Sequence, residues 1–168
     1  MASKSILQKL ILLGALLPAL LCSAAEPRFD DYKVLAIFDD TSNAAAAGRQ
    51  SDDAQSDLRE QAAKQPANFA GHYIVLTSGC GGGAICGEIL DAKSGRAVTG
   101  LPNAYLILSE DGTSAFDAIF QENSRLIIIS GIAADPELGL NNEPIPRKDR
   151  TRYYEFDGKS LKLLYLAE

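Results

Sequence analysis

The sequence is poor in the side chains that carry most acid–base and metal chemistry. It has one histidine, His72, one methionine and no tryptophan. A single imidazole excludes metal sites that need two histidines and mechanisms in which two histidines exchange protons. Basic residues are also in the minority, with 16 lysines and arginines against 22 acids and a formal net charge of −6. An acidic surface repels phosphate backbones, so nucleic-acid binding is disfavoured.

Long apolar runs are scarce, and the longest is shorter than the roughly 20 residues that a membrane-spanning helix needs. This run, Leu10–Cys22, follows two lysines and precedes small residues at positions 23–25. A positive head, an apolar stretch and small residues in this order predict a cleavable signal peptide at residues 1–25. We expect residues 26–168 to form a single exported domain with no integral membrane segment.

Cys22 suggests an alternative, because lipoprotein processing leaves a cysteine at the mature N-terminus. That cleavage takes a small residue before the cysteine, whereas Leu21 stands there. Anchoring by a lipid at Cys22 is therefore disfavoured.

Two cysteines, Cys80 and Cys86, remain after the predicted cleavage, and they enclose the consecutive glycines Gly81, Gly82 and Gly83. In an oxidising compartment two nearby thiols normally pair. The glycines allow the backbone to bend sharply or to approach another molecule closely. We predict a hairpin closed by a Cys80–Cys86 disulfide.

Two chemical alternatives for this loop stay open. Cys80 could act as a nucleophile with His72 as base, which would make the protein a thiol-dependent hydrolase or redox enzyme. Cys80, Cys86 and His72 could instead supply three zinc ligands, although their spacing matches no common zinc pattern. A phosphate-binding P-loop is disfavoured, because the glycines lead into a strand rather than into Gly-Lys-Ser/Thr and a helix.

Short apolar segments separated by turn residues predict a mainly β domain. The predicted strands are Tyr32–Phe38, His72–Ser78, Ile85–Leu90, Arg96–Val98, Ala104–Leu108, Ala115–Phe120, Arg125–Gly131, Tyr153–Phe156 and Leu161–Leu166. Asp157-Gly158 predicts a type I′ turn in the last hairpin. Because short connections require antiparallel neighbours, we predict an α+β, mainly β fold. It would be an antiparallel meander of about seven or eight strands, arranged as a sheet, a sandwich or a partly closed barrel, with one helix packed on it.

The one predicted helix begins at Ser51, whose side chain suits an N-cap, and runs to about Lys64. Pro66 prevents it from continuing. On this helix Leu58 and Ala62 share one side, which we expect to pack on a sheet. Arg59, with other charged residues, is expected to face solvent.

Two segments are predicted to lack regular structure. Residues 39–50 are rich in small and polar residues and read as a flexible linker. Residues 132–152 read as a long loop, either a functional rim or disordered. A basic run in this loop favours solvation over anion binding; its members are Arg147, Lys148, Arg150 and Arg152.

Two aromatic or titratable positions admit both structural and functional interpretations. His72 shares a strand face with Ile74 and Leu76, which favours a partly buried, hydrogen-bonded histidine. Tyr154 and Phe156 share a face of the last hairpin, where aromatic residues usually fill a core. A ligand-stacking surface is the alternative for these two rings.

The chain contains Asn-Phe-Ala-Gly-His-Tyr at 68–73, Gly-Cys-Gly at 79–81 and Asp-Ala-Lys-Ser-Gly-Arg at 91–96. With a helix before them, these motifs resemble a family of small secreted proteins from Gram-negative bacteria. The resemblance covers residues 51–168. It implies a shared fold and location in the periplasm or secretion, and it transfers no catalytic residue.

The sequence departs from the pattern of that family beside the first cysteine. Relatives have an aromatic residue where Ser78 stands and a second cysteine close after the first. Here position 84 is alanine and the thiol comes at Cys86. This departure favours a simple disulfide between strands over a tighter cysteine motif.

The leading functional prediction is a non-catalytic protein that binds a periplasmic or envelope protein or component, without a cofactor or metal. The candidate binding residues are Asn68, His72, Tyr73, Gly81, Gly82 and Gly83. An inhibitor-type protein fits, because blocking a partner needs a rigid protruding loop and no chemistry of its own. The rivals are the thiol-dependent enzyme and a small-ligand carrier, in which tyrosines would line the cavity of a closed meander.

Overall fold

The computed structural model of the protein describes residues 25–37, 54–108, 112 and 115–168. Nearly all of the predicted signal peptide, including Cys22, lies outside the described residues. So do the predicted linker 39–50 and the predicted helix start at 51–53. Among the described helices, none has the length and apolar character that crossing a membrane requires.

The described chain consists of a short 3-10 helix, one α-helix and a series of antiparallel strands. In chain order they are the 3-10 helix Phe29–Tyr32, α1 Ala54–Ala62, β1 Tyr73–Gly81, β2 Ala84–Asp91, β3 Arg96–Gly100, β4 Tyr105–Leu106, β5 Asp117–Phe120, β6 Leu126–Ile132, β7 Glu137–Leu138, β8 Pro144–Ile145, β9 Asp149–Phe156 and β10 Leu161–Ala167. Every predicted strand from His72 onward coincides with one of these. The predicted α+β, mainly β fold is confirmed.

The strands form two four-stranded sheets and one separate hairpin. In the first sheet β2 pairs with β1 on one side, and on the other with β3 and, at its opposite end, β4. The second sheet has the order β10-β9-β6-β5, and β7 pairs only with β8. Inward side chains of both sheets share one core cluster, and Tyr105 of β4 makes an isolated bridge to Ala133 just after β6. The described strands do not close into a barrel.

The core lies between the two sheets. Val75 and Ile89 from the first sheet join Ile127, Tyr154 and Phe156 from the second in one cluster of buried side chains. Strand alternation therefore places Tyr154 and Phe156 on the same inward face, as predicted. Their rings fill the core.

Helix α1 covers the outer face of the first sheet, where Ala62 packs against Ile74 of β1. Leu58, predicted to share this packing, is exposed at 36%. Arg59, predicted to face solvent, keeps 38% of its side chain exposed but also binds a buried carboxylate. Its Nε and Nη2 atoms each donate to the Glu88 carboxylate at 2.7 Å. Glu88 is buried on β2, so its negative charge requires a partner of opposite charge. The two residues are 29 positions apart, and local sequence patterns do not show such a pairing.

The predicted first strand, Tyr32–Phe38, is wrong over residues 32–37, the part that the structure describes. Residues 29–32 form a 3-10 helix, and Lys33 makes only an isolated bridge, to Ser124. The Ser124 hydroxyl donates to the Phe29 carbonyl at 3.0 Å, which fastens this segment to the β5–β6 turn. Its backbone bonds run to the β5–β6 turn, from Arg125 N to the Tyr32 carbonyl and from Val34 N to the Asn123 carbonyl, and a turn offers no strand with which to form a ladder.

The predicted type I′ turn between β9 and β10 is also wrong. The two strands are joined by residues 157–160, and of these only Gly158 has a positive φ, at 93°. The Asp157 carboxylate accepts the backbone N–H groups of Lys159 and Ser160 at 2.8 Å each. Asp157 therefore stabilises a four-residue loop through its side chain, rather than adopting the positive φ of a type I′ turn.

Residues 132–152 are ordered, contrary to the prediction of an irregular loop. They contain the β7–β8 hairpin and the beginning of β9. Arg150 and Arg152, predicted to be solvated, are only 4% and 0% exposed. Both bind the buried Glu137, with Arg150 Nη1 at 3.0 Å and Arg152 Nη2 at 2.9 Å from Oε2. These two arginines therefore bind the carboxylate of Glu137 within the same chain.

Candidate functional site

The hairpin of β1 and β2 ends in a glycine-rich tip. Cys80 and Cys86 are joined by a disulfide, with their Cα atoms 5.6 Å apart, which confirms the predicted pairing. Gly81, Gly82 and Gly83 have φ angles of 92°, 59° and 73°. Residues with a Cβ atom rarely adopt positive φ angles, so the tight bend requires glycine.

The tip projects into open space. Residues 79–83 are all exposed, and a Cβ atom added at Gly81, Gly82 or Gly83 would meet nothing within 4 Å. These positions therefore need glycine for their positive φ angles. Within the described structure no neighbouring atom is close enough to exclude a side chain there. The result is an exposed stretch of backbone held at both ends by one covalent bond.

Two apolar side chains lie beside this tip. The N–H of Ile107 donates to the carbonyl of Gly83 at 2.9 Å, which brings the end of β4 against the hairpin. Ile107 is 46% exposed and Leu108 is 57% exposed. We call residues 79–83 together with Ile107 and Leu108 the tip surface.

The predicted binding residues fall into two separate groups. The glycines belong to the tip surface, whereas His72 and Tyr73 lie at the other end of β1, next to Asp91 and Lys93. Eight residues of extended chain separate His72 from Cys80, roughly 26 Å. With its sulfur also bonded to Cys86, Cys80 is not placed to act as a nucleophile with His72 as base.

His72 is part of an aromatic stack. It is partly buried, as predicted, and its ring lies 4.1 Å from that of Tyr73, which in turn meets Phe156 edge to face at 4.7 Å. Burial, helped by the Lys93 charge and opposed by Asp91, lowers the pKa of His72. The imidazole is therefore neutral at pH 7 and acts as a packing element.

Asn68, also predicted to bind, has a structural role. Its Oδ1 accepts the N–H of Val75 at 2.8 Å and its Nδ2 donates to the Val75 carbonyl at 3.4 Å. The backbone N–H of Asn68 also donates to the carbonyl of Tyr73 at 3.0 Å. These bonds fix the turn that leads into β1.

Replacing Asn68 with alanine is expected to lower the free energy of unfolding by about 1–3 kcal/mol, because it strands the buried N–H of Val75. Urea denaturation measures the change. Asn68→Asp keeps the accepting oxygen and should recover a large part of the loss. An Asn68→Ala protein as stable as the wild type would contradict this structural role.

The structure also contains features that sequence reasoning missed. A cleft of about 440 Å³ lies between the β7–β8 hairpin and β10. In the sequence, the cleft corresponds to two Leu-x-Leu patterns, at 138–140 and 161–163. The same patterns are expected of any strand that packs one face on a core, so they do not identify a cleft. Within the described ranges, His, Cys, Asp and Glu side chains form no group of three that could hold a metal ion.

No family model, curated protein or solved structure matches this chain.

Proposed function

We propose that this protein is an exported, non-catalytic binding protein that acts on a periplasmic or envelope protein through the tip surface. An inhibitor-type role belongs to this class. The observation that carries the proposal is the conjunction, at one place, of an exposed glycine backbone, a disulfide that constrains it and two exposed aliphatic side chains.

Rigidity of the tip supports binding. Ordering a flexible residue costs about 1–2 kcal/mol of conformational free energy, which a partner would have to offset. The Cys80–Cys86 bond and the hydrogen bond from Ile107 to Gly83 order these residues before any encounter. A preorganised loop therefore retains more of its contact energy as affinity.

Exposed backbone at the tip offers a partner hydrogen-bond donors and acceptors. With no side chains on the three glycines, their N–H and C=O groups can be approached closely. Ile107, whose N–H bonds Gly83, and its neighbour Leu108 supply exposed apolar side chains next to this backbone. Residues 132–152, predicted as a functional rim or a disordered loop, contribute to a separate cleft, so the proposed binding surface does not include them.

The test is capture of a partner by tagged protein from envelope extracts. We expect the double variant Ile107→Asp, Leu108→Asp to retain less than about a tenth of the bound partner, because charges would replace central apolar contacts. The matched control is Ile119→Asp, since Ile119 is 48% exposed on β5, outside the tip surface. Equal capture by both variants, or no capture above background by the wild type, would contradict the proposal.

A further inference from the structure

Strand β1 lies at one edge of the first sheet. It pairs with β2 on one side, and no described strand pairs with it on the other. In an antiparallel ladder, successive residues direct their backbone N–H and C=O groups alternately toward the two sides. Every second residue of β1 therefore presents a donor and an acceptor away from β2, and these groups need a partner or water.

The bonds of β2 identify which residues of β1 point outward. The carbonyl of Gly87 accepts the N–H of Leu101 at 2.8 Å, on the side of β2 that faces away from β1. Gly87 therefore does not bond Thr77, which stands opposite it in the register of the two strands. The backbone groups of Thr77 point outward, and so, two residues further along the strand, do those of Gly79.

The first half of this edge is closed by the segment that precedes β1. Tyr73 donates its N–H to the Phe69 carbonyl at 2.9 Å and accepts the Phe69 N–H at 3.0 Å. The side chain of Asn68 bonds both the N–H and the C=O of Val75, as a neighbouring strand would. Closing an edge in this way prevents another chain from pairing with it. The closure ends at Val75, so it covers only the half of β1 that is distant from the tip surface.

The second half of the edge, at Thr77 and Gly79, is open, and we call it the open edge. Both residues are exposed, and no hydrogen bond from the described part of the chain reaches their outward groups. A Cβ atom added at Gly79 would meet nothing within 4 Å, so nothing in the described structure stands over the backbone there. The Cys80–Cys86 bond ties this end of β1 to β2, which keeps the open edge extended.

Charge also distinguishes the open edge. Exposed charged side chains commonly block the addition of a strand to a sheet. The outer strands β3, β5 and β10 each carry one, Arg96, Asp117 and Lys162 respectively. Residues 76–81 of β1 carry none. The open edge therefore lacks a protection that the other three strands have.

We propose that the partner of the tip surface binds by adding an extended segment of its own chain to β1, alongside Thr77 and Gly79. This inference rests on the proposed function and deepens it by naming what the partner presents, which is unpaired backbone in an extended conformation. Gly79 belongs to both the open edge and the tip surface, so one continuous surface is covered. A second copy of this chain is disfavoured as the occupant, because two copies with a formal net charge of −6 repel each other.

Amide hydrogen exchange of the isotopically labelled protein, followed by NMR, tests the open edge directly. In the free oxidised protein, the N–H groups of Thr77 and Gly79 should exchange at least about tenfold faster than that of Ser78, which points toward Cys86 of β2. In the complex recovered from envelope extract, exchange at Thr77 and Gly79 should slow at least about tenfold. Exchange as slow as at Ser78 in the free protein, or no slowing in the complex, would overturn the inference.

Proline at position 77 tests the same edge through partner capture. Thr77→Pro removes the outward N–H and places a ring at the edge, but it breaks no bond to β2. Capture should fall at least about tenfold, because the added strand loses a backbone bond and meets the ring. Thr77→Val, the matched control, keeps the N–H and the strand preference, and should capture the partner within about twofold of the wild type.

The outcomes separate this inference from the proposed function. If Thr77→Pro captures like the wild type while Ile107→Asp, Leu108→Asp does not, only this inference fails, and equal losses by Thr77→Pro and Thr77→Val would also overturn it. No capture by the wild type would overturn both proposals. A purified wild-type dimer that Thr77→Pro converts to a monomer would assign the open edge to a second copy instead. The exchange measurement needs no variant, so it decides the question even if Thr77→Pro does not fold.

Discussion

Replacing Glu137 with glutamine is expected to lower the free energy of unfolding by about 3–5 kcal/mol, the range observed when one partner of a buried ion pair is removed. Glu137 is 5% exposed and is bound by Arg150 and Arg152 together. Glutamine keeps the size of the side chain and removes its charge. Two guanidinium groups, which cannot lose their protons, would then be left in the interior with one anion fewer.

The arginines have no simple way to escape this penalty. Arg152 is fully buried, donates through Nη1 to the carbonyls of Gly131 and Arg150, and lies with its Cζ 5.3 Å from the centre of the Tyr105 ring. Burial by itself lowers the pKa of Arg152, but the hydrogen bond and the charge of Glu137 outweigh it and raise the pKa. Arg150 also pairs with Glu168 at 3.4 Å, but that carboxylate is exposed to solvent, so the pair stabilises the Arg150 charge only weakly.

Glu155→Gln is the matched control for Glu137→Gln. Glu155 pairs with Arg125 at 2.6 Å, but the side chains are 26% and 40% exposed. Solvent screening limits such a pair to about 0–1 kcal/mol. Because the chain has no tryptophan, urea unfolding is best followed by far-ultraviolet circular dichroism. If the two glutamine variants unfold at the same urea concentration, the buried cluster does not hold the hairpin as described.

Replacing both Cys80 and Cys86 with serine is expected to reduce partner capture more than about tenfold and to lower the free energy of unfolding by about 2–3 kcal/mol. The stability change follows from the entropy of closing so short a ring in the unfolded chain. The loss of capture follows because the partner must order an unconstrained glycine segment, at about 1–2 kcal/mol for each residue.

Reduction of the wild-type disulfide should reproduce the loss of capture, while the same reductant should leave the double-serine protein unchanged. This comparison separates the effect of the bond from any effect of the serine side chains. Undiminished capture by the double-serine protein would mean that rigidity of the tip is not what the partner requires.

Local patterns predicted the parts of the fold that depend on local physics. Alternation placed Tyr154 and Phe156 in the core, and the close spacing of Cys80 and Cys86, together with the export that the sequence predicts, predicted their bond. Glycines marked the bend between β1 and β2 because positive φ angles require them. These features depend on neighbours within a few residues.

Predictions failed where the deciding partner is distant in sequence. Arg59 binds Glu88 in β2 and keeps 38% of its side chain exposed. Arg152, which looks solvated in the sequence, is buried against Glu137 of β7. The bonds from Asn68 to Val75, seven residues away, likewise could not be read from the motif in which Asn68 lies. The cleft also depends on how the β7–β8 hairpin is anchored, which no single segment encodes.

The central claim is that the exported chain forms the Cys80–Cys86 disulfide, which makes the glycine loop a rigid binding element. One mass measurement tests it most directly. Cells are lysed in the presence of an alkylating reagent, and the intact mass of the protein is determined without reduction. We predict a chain that begins at Glu26 and carries no alkyl group, because Cys80 and Cys86 are bonded to each other. A mass that includes residues 1–25, or two alkyl groups on the mature chain, would contradict it.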